Sequence, residues 1–102
     1  MLKIETVNDF KKLIYQSDDV VVDFYADWCG PCKMMKPVIE KVSKNLPDIT
    51  FAMVDVDQLF EITQAYNIRS VPTIIRFKHG VVYTRESGYI PESKLMSLLT
   101  NQ

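Results

Sequence analysis

The 102-residue chain is poor in several things at once. It has two cysteines, one histidine, one tryptophan and three glycines, and its 12 basic and 13 acidic side chains leave a formal charge of −1. A balance so near zero gives no electrostatic footprint for nucleic acid or for an anionic lipid surface, so neither is an expected partner. The start, "MLKIETVNDF", lacks the apolar run of a secretory signal. The densest apolar stretch, Val20 to Ala26, is broken by Asp23 and far too short to span a bilayer. A cytoplasmic protein is the expectation, and in a reducing cytosol a pair of cysteines serves as free thiols, metal ligands or catalytic groups more readily than as a permanent disulfide. There is no repeat, low-complexity tract or Gly/Ser linker, so residues 1–102 read as one domain, a size that buries roughly 60–70% of its unfolded surface around one core. Apolar residues at 47% and charged residues at 25% are ordinary for such a domain, and nothing suggests more than a monomer.

What is present is a clear alternation of patterns. "LKIE" suggests a short edge strand, and Asn8 an N-cap for a brief helix with Phe10, Leu13 and Ile14 at helical spacing. "VVVDFYA" is β-branched and aromatic at both parities, as a strand buried on both faces reads. From Cys32 to about Asn45, Met35, Val38, Ile39 and Val42 share one helical face, with Pro37 removing a donor and kinking the helix. "ITFAMVDV" is a second buried strand, and "QLFEITQAYN" a helix ending near Asn67. "TIIRF" and "VVYTRES" form a hairpin across "KHG", where Gly80 supplies the positive φ. Pro91 opens a last helix with Leu95, Leu98 and Leu99 inward. The order β-α-β-α-β-α-β-β-α demands parallel pairing early and antiparallel pairing late, hence an α/β fold with a mixed central sheet and helices on both faces.

Both cysteines lie in "DFYADWCGPCKMMKP". Cys29 and Cys32 fall where a buried strand gives way to a helix, and there the unpaired N–H groups and the positive end of the helix dipole favour a thiolate at Cys29. Cys32, about a turn further in, is expected to be more buried and to keep its proton. Gly30 permits close approach of a substrate backbone and Pro31 fixes the turn. The alternatives are weaker. A structural zinc site takes four ligands, and one pair with a single histidine falls short without recruiting carboxylates. A structural disulfide across so small a loop constrains the unfolded chain little. Redox exchange is favoured.

Asp23, inside "VVVDFY", should have its pKa raised by desolvation. A carboxylate satisfied by local hydroxyls, or solvated at a strand edge, is the bland explanation. Its place just before the helix carrying Cys32 favours a second one, in which it takes the Cys32 proton and returns it, through a water if the gap requires. Pro72 in "SVPT" is open to the cis form, although simple punctuation explains it equally well. His79 reads as a solvated turn residue, and Met34, Met35 and Met53 as core filler.

"WCGPC" after a buried "VDF" strand, followed by "NIRSVPT", "FKHG" and the spacing to Gly88, resembles the small single-domain thioredoxins, nearly end to end. The resemblance implies the thioredoxin fold, a mixed five-stranded central sheet with four flanking helices. Its middle three strands would hold Asp23, Phe51 to Val56 and Thr73 to Phe77. It implies a reductase of disulfide-containing client proteins that needs no cofactor or metal beyond its own Cys29–Cys32 disulfide. Cys29 would be the exposed nucleophile and Cys32 the resolving thiol. Asp23 would be the buried aspartate of the family. Pro72 would be its cis-proline, facing the cysteines and leaving the Val71 backbone to pair with an extended client. Trp28, Gly30, Pro31, Gly88 and Tyr89 would complete a flat, largely apolar docking surface. The bridge would be reduced by an NADPH-dependent flavoprotein, a thioredoxin reductase.

Four residues depart from the family pattern. Met53 stands where many members have a lysine beside the aspartate, so a compensating charge is expected to be missing and the Asp23 pKa to rise further than in lysine-bearing relatives. Arg76 replaces an apolar residue and must snorkel or find an acid. Tyr25 replaces a common tryptophan, and Tyr89 a small residue. Two other functions remain in view. One is an oxidase or isomerase of an exporting compartment, disfavoured because Gly30-Pro31 lacks the histidine such oxidants carry. The other is a binding module in which the redox chemistry is incidental.

Overall fold

From Val20 to Phe24 every residue is buried, whichever face it points to. Such a strand needs a neighbour on each edge and a layer on each face, and it has all four. The computed structural model describes residues 1–100. Its elements run β1 (Leu2–Lys3), α1 (Val7–Gln16), β2 (Asp19–Tyr25), α2 (Gly30–Asn45), β3 (Thr50–Asp55), α3 (Phe60–Ala65), β4 (Thr73–Lys78), β5 (Val81–Ser87) and α4 (Glu92–Thr100). They form a five-stranded sheet of order β1-β3-β2-β4-β5, with β2 in the middle. The pairs β1–β3 and β2–β3 are parallel, and β2–β4 and β4–β5 antiparallel. This is the mixed sheet expected from the order of elements.

Residue parity along β2 divides the core. Val20, Val22 and Phe24 pack with Phe10 and Ile14 of α1 and Ile62 of α3. Val21 points the other way, into a cluster with Met35, Ile39 and Val42 of α2 and Leu95 and Leu99 of α4. Asp23 shares the parity of Val21, so its side chain belongs to the α2 side of the sheet. Fully burying one such aliphatic side chain stabilises by about 1.5–3 kcal/mol, which is why two apolar faces on one strand hold β2 at the centre.

Several local expectations shift. The first helix is capped by Thr6, whose side chain accepts a hydrogen bond from the Asp9 N–H at 3.0 Å, and Asn8 lies inside the first turn. α2 begins at Gly30 instead of Cys32, because Cys29 is its N-cap and Pro31, in the first turn, gives up a donor that had no helical partner anyway. α3 is shorter than its apolar pattern. It stops at Ala65, and Asn67 follows at φ 55°. In the β4–β5 hairpin both His79 (φ 53°) and Gly80 (φ 80°) are left-handed, the two-residue turn whose twist matches its strands. Met35 is fully buried and Met53 nearly so, but Met34 is 61% exposed, since the helical face one residue from Met35 turns to solvent.

Candidate active site

Strand β2 ends at Tyr25, and the turn through Ala26 to Trp28 delivers Cys29 to the start of α2. The Cys29 N–H donates to the Ala26 carbonyl at 3.2 Å, closing that turn. As N-cap, Cys29 lets its Sγ accept a hydrogen bond from the Cys32 N–H at 3.2 Å. The two sulfurs are joined as a disulfide. A sulfur that already accepts a backbone N–H at the positive end of a 16-residue helix is placed to carry negative charge when the bridge opens.

The expected contrast in burial does not hold, because Cys29 and Cys32 are each only 4% exposed. What distinguishes them is direction. Cys29 Sγ lies 3.6 Å from the Val71 carbonyl oxygen, on the side of the Val71–Pro72 turn. Cys32 instead lines a cavity of about 340 Å³ together with Asp23, Tyr25, Met53 and three lysines, Lys3, Lys33 and Lys36.

Asp23 is 2% exposed, and its Oδ1 has no hydrogen-bond partner among the described residues. Desolvation pushes its pKa from 3.8 up to about 7, against a smaller opposing pull from the Lys36 ammonium. The counter-charge thought to be absent is therefore present. Met53 does pair with Asp23 in the sheet register, but Lys36, one turn beyond Cys32 on α2, brings a positive charge to the same cavity from above the sheet.

Around the disulfide, the Val71–Pro72 peptide is cis, and the Gly88 N–H donates to the Pro72 carbonyl at 2.8 Å. Gly88 has φ 89°, a conformation that favours glycine, and it brings the end of β5 against this turn. A Cβ placed on Gly30 would meet nothing within 4 Å, so the space above it is open to an approaching chain. Trp28 is 71% exposed, and its Nε1–H donates to Asp57 Oδ2 at 2.9 Å. Asp57 is in turn fixed by its own N–H donating to Asp55 Oδ1. A shallow groove of about 140 Å³ runs from Trp28 past Ile68, Arg69 and Ser70 to Val71. Tyr89, 43% exposed, follows Gly88.

Two conspicuous residues stay away from the site. His79 sits in the hairpin turn beside Asp18, at the opposite end of β2 from the cysteines. Arg76 found an acid. It is buried, with Nε and Nη2 donating to Asp19 Oδ1 and Oδ2 at 2.9 and 2.7 Å and Nη1 to the Leu99 carbonyl at 3.2 Å, so it ties β4 to the start of β2 and the end of α4. No group of three or more potential metal ligands occurs among the described residues. Sequence reading missed Asp57 and Lys36. For Lys36 a signal existed, since the i, i+4 spacing from Cys32 puts both on one helical face.

The thioredoxin family model matches residues 1–101. The chain is 44% identical to thioredoxin of Mycoplasmoides gallisepticum over 99 residues, covering 97% of this chain and 99% of the relative. It is 38% identical to thioredoxin-1 of Saccharomyces cerevisiae, with 97% and 96% covered. Among solved structures, Plasmodium falciparum thioredoxin superposes with a TM-score of 0.94 at 36% identity, over 99% of this chain and 98% of that one. With its five-stranded sheet, four helices and redox disulfide at the head of α2, the chain belongs to the thioredoxin family of thiol-disulfide oxidoreductases, which reduce protein disulfides.

Proposed function

We propose that the two cysteines have fixed roles, with Cys29 attacking and Cys32 resolving. The observation that carries this is their opposite orientation, Cys29 Sγ toward Val71 and Cys32 onto the Asp23 cavity. In the reduced protein the Cys29 thiolate attacks one sulfur of a client disulfide. A Cys29–client bond forms, and the second client sulfur leaves as a thiolate and is protonated. Asp23 then takes the Cys32 proton, across the cavity or through a water within it, and the Cys32 thiolate attacks Cys29 Sγ. This re-forms the Cys29–Cys32 bridge and releases the other client sulfur, so that two electrons have passed to the client. With a pKa near 7, Asp23 is half ionised at neutral pH, so it can both accept that proton and give it back.

An extended client segment pairs with the Val71 backbone beside Pro72 and rests on Trp28, Gly30, Pro31, Gly88 and Tyr89. The exposed indole of Trp28 and the open space over Gly30 support this reading. Return to the dithiol takes two electrons and two protons from an NADPH-dependent flavoprotein thioredoxin reductase. We place the protein, a single monomeric domain over residues 1–102, in the cytoplasm, where the client pool is reducible. No helix among the described residues is long and apolar enough to cross a membrane. The test is insulin disulfide reduction driven by dithiothreitol or by a reductase. Cys29→Ser and Cys32→Ser should each abolish turnover above the uncatalysed rate, and turnover retained by either single variant would refute the paired mechanism.

A further inference from the structure

Lys3, Met53, Asp23 and Ile74 form one row across four strands, each in register with the next. All four project toward α2, and there Asp23 is hemmed in. Its strand neighbours Met53 and Ile74 carry no charge, and Lys3 lies beyond Met53 on the edge strand. Tyr25 and Asp27, from β2 and the turn after it, line the same cavity, and α2 contributes Cys32, Lys33 and Lys36. The carboxylate must already stand there each time Cys32 gives up its proton, and because burial disfavours that charge, a positive charge at the same cavity helps to stabilise it.

We propose that Lys36 is the positioning residue of this proton transfer: its ammonium, carried on α2 one turn past Cys32, holds the Asp23 carboxylate ready to accept the Cys32 proton, taking the part that a lysine at position 53 would play. This rests on the reading of Asp23 as the base. Of the three lysines around the cavity, Lys36 is the one on the helical face of Cys32, and its charge pulls the Asp23 pKa down. Lys3 is set back by the width of a strand. Lys33 directly follows Cys32, so its side chain leaves the helix about 100° around from the face that Cys32 shares with Lys36. Because Lys36 is itself exposed, solvent screens it, and its influence is a fraction of a pH unit rather than several.

The experiment uses the full chain at low salt. The Asp23 carboxyl is titrated by carbon-detected NMR in the oxidised protein, and resolution of a preformed Cys29 mixed disulfide is followed across pH by stopped flow. In Lys36→Gln the Asp23 midpoint should rise by about half a pH unit, which leaves about half as much carboxylate at pH 7 and slows resolution about twofold there. Lys36→Arg should behave as wild type, and Met53→Lys added to Lys36→Gln should restore the midpoint. In about 0.5 M salt the difference between wild type and Lys36→Gln should shrink. An unmoved midpoint in Lys36→Gln, or a displacement as large in Lys33→Gln or Lys3→Gln, would overturn the proposal. If the NMR midpoint moves while the resolution profile does not, Lys36 still acts on Asp23 but the assignment of Asp23 as base fails.

Discussion

Replacing Asp23 by asparagine should remove a loss of stability that grows with pH in a defined way. The unfolded carboxyl releases its proton near 3.8 and the folded one near 7. Between those values the folded state holds a proton that the unfolded state has lost, so wild-type stability falls as pH rises through this window. At about 1.4 kcal/mol for each tenfold in a proton equilibrium, the loss is about 0.5 kcal/mol at pH 4 and about 4 kcal/mol by pH 8. The group is 2% exposed, so solvent screening removes little of this. An asparagine at this position has nothing to ionise. Any constant penalty for burying its amide displaces the whole curve and leaves the slope untouched. Urea unfolding of the oxidised proteins, which keeps thiol titration out of the comparison, should show the stability difference widening in favour of Asp23→Asn by about 3–4 kcal/mol between pH 4 and pH 8. Parallel wild-type and variant profiles across that range would refute the claim that Asp23 ionises in a desolvated site.

The ion pair at the other end of β2 should behave differently. Asp19→Ala leaves the buried Arg76 guanidinium with the Leu99 carbonyl and the Tyr83 ring but no counter-charge, at a cost of about 3–5 kcal/mol in urea unfolding, whereas Asp19→Leu with Arg76→Met should recover most of that loss. Gly80→Ala forces a side chain into φ 80° and places its Cβ 2.5 Å from the Tyr15 ring, so it should cost about 1–3 kcal/mol, and more than Gly88→Ala, which has a similar φ but open space. Trp28→Ala removes the exposed indole and its bond to Asp57. It should raise KM for insulin by about 3–10-fold with a smaller change in kcat, measured by initial rates over a range of insulin concentrations.

The elements were legible because their signals are periodic and local. The double-parity apolar run of β2 fixed its central place, and the change from strand to helix period at "WCGPC" located the cysteines on a helix start. Local chemistry was harder to read where two polar residues compete for one role. Thr6 caps α1 in place of Asn8 because the helix begins two residues earlier, and no periodicity marks the exact first turn. Burial of single residues was less legible still. Met34 and Met35 are neighbours of the same type with opposite fates, decided by 100° of helical rotation. Cys29 and Cys32 were expected to differ in burial and are equally buried, because the depth of a residue at a helix start is set by the loops that pack over it and not by its place along the helix. Lys36 and Asp57 are long-range participants. Lys36 reaches over the sheet from α2, and its helical spacing from Cys32 was the one sign of it, whereas Asp57 holds Trp28 from 29 residues away, a relation that does not exist until the chain has folded.

The central claim is the division of labour between the two sulfurs, and the most direct measurement of it is the site of the client adduct. Reduced Cys32→Ser and Cys29→Ser proteins are mixed with excess insulin, quenched by acid at short times and mapped by mass spectrometry. The structure leads us to expect a rapid mixed disulfide on Cys29 in the Cys32→Ser protein and little or none on Cys32 in the Cys29→Ser protein. Adducts forming on Cys32 as fast as on Cys29 would contradict it.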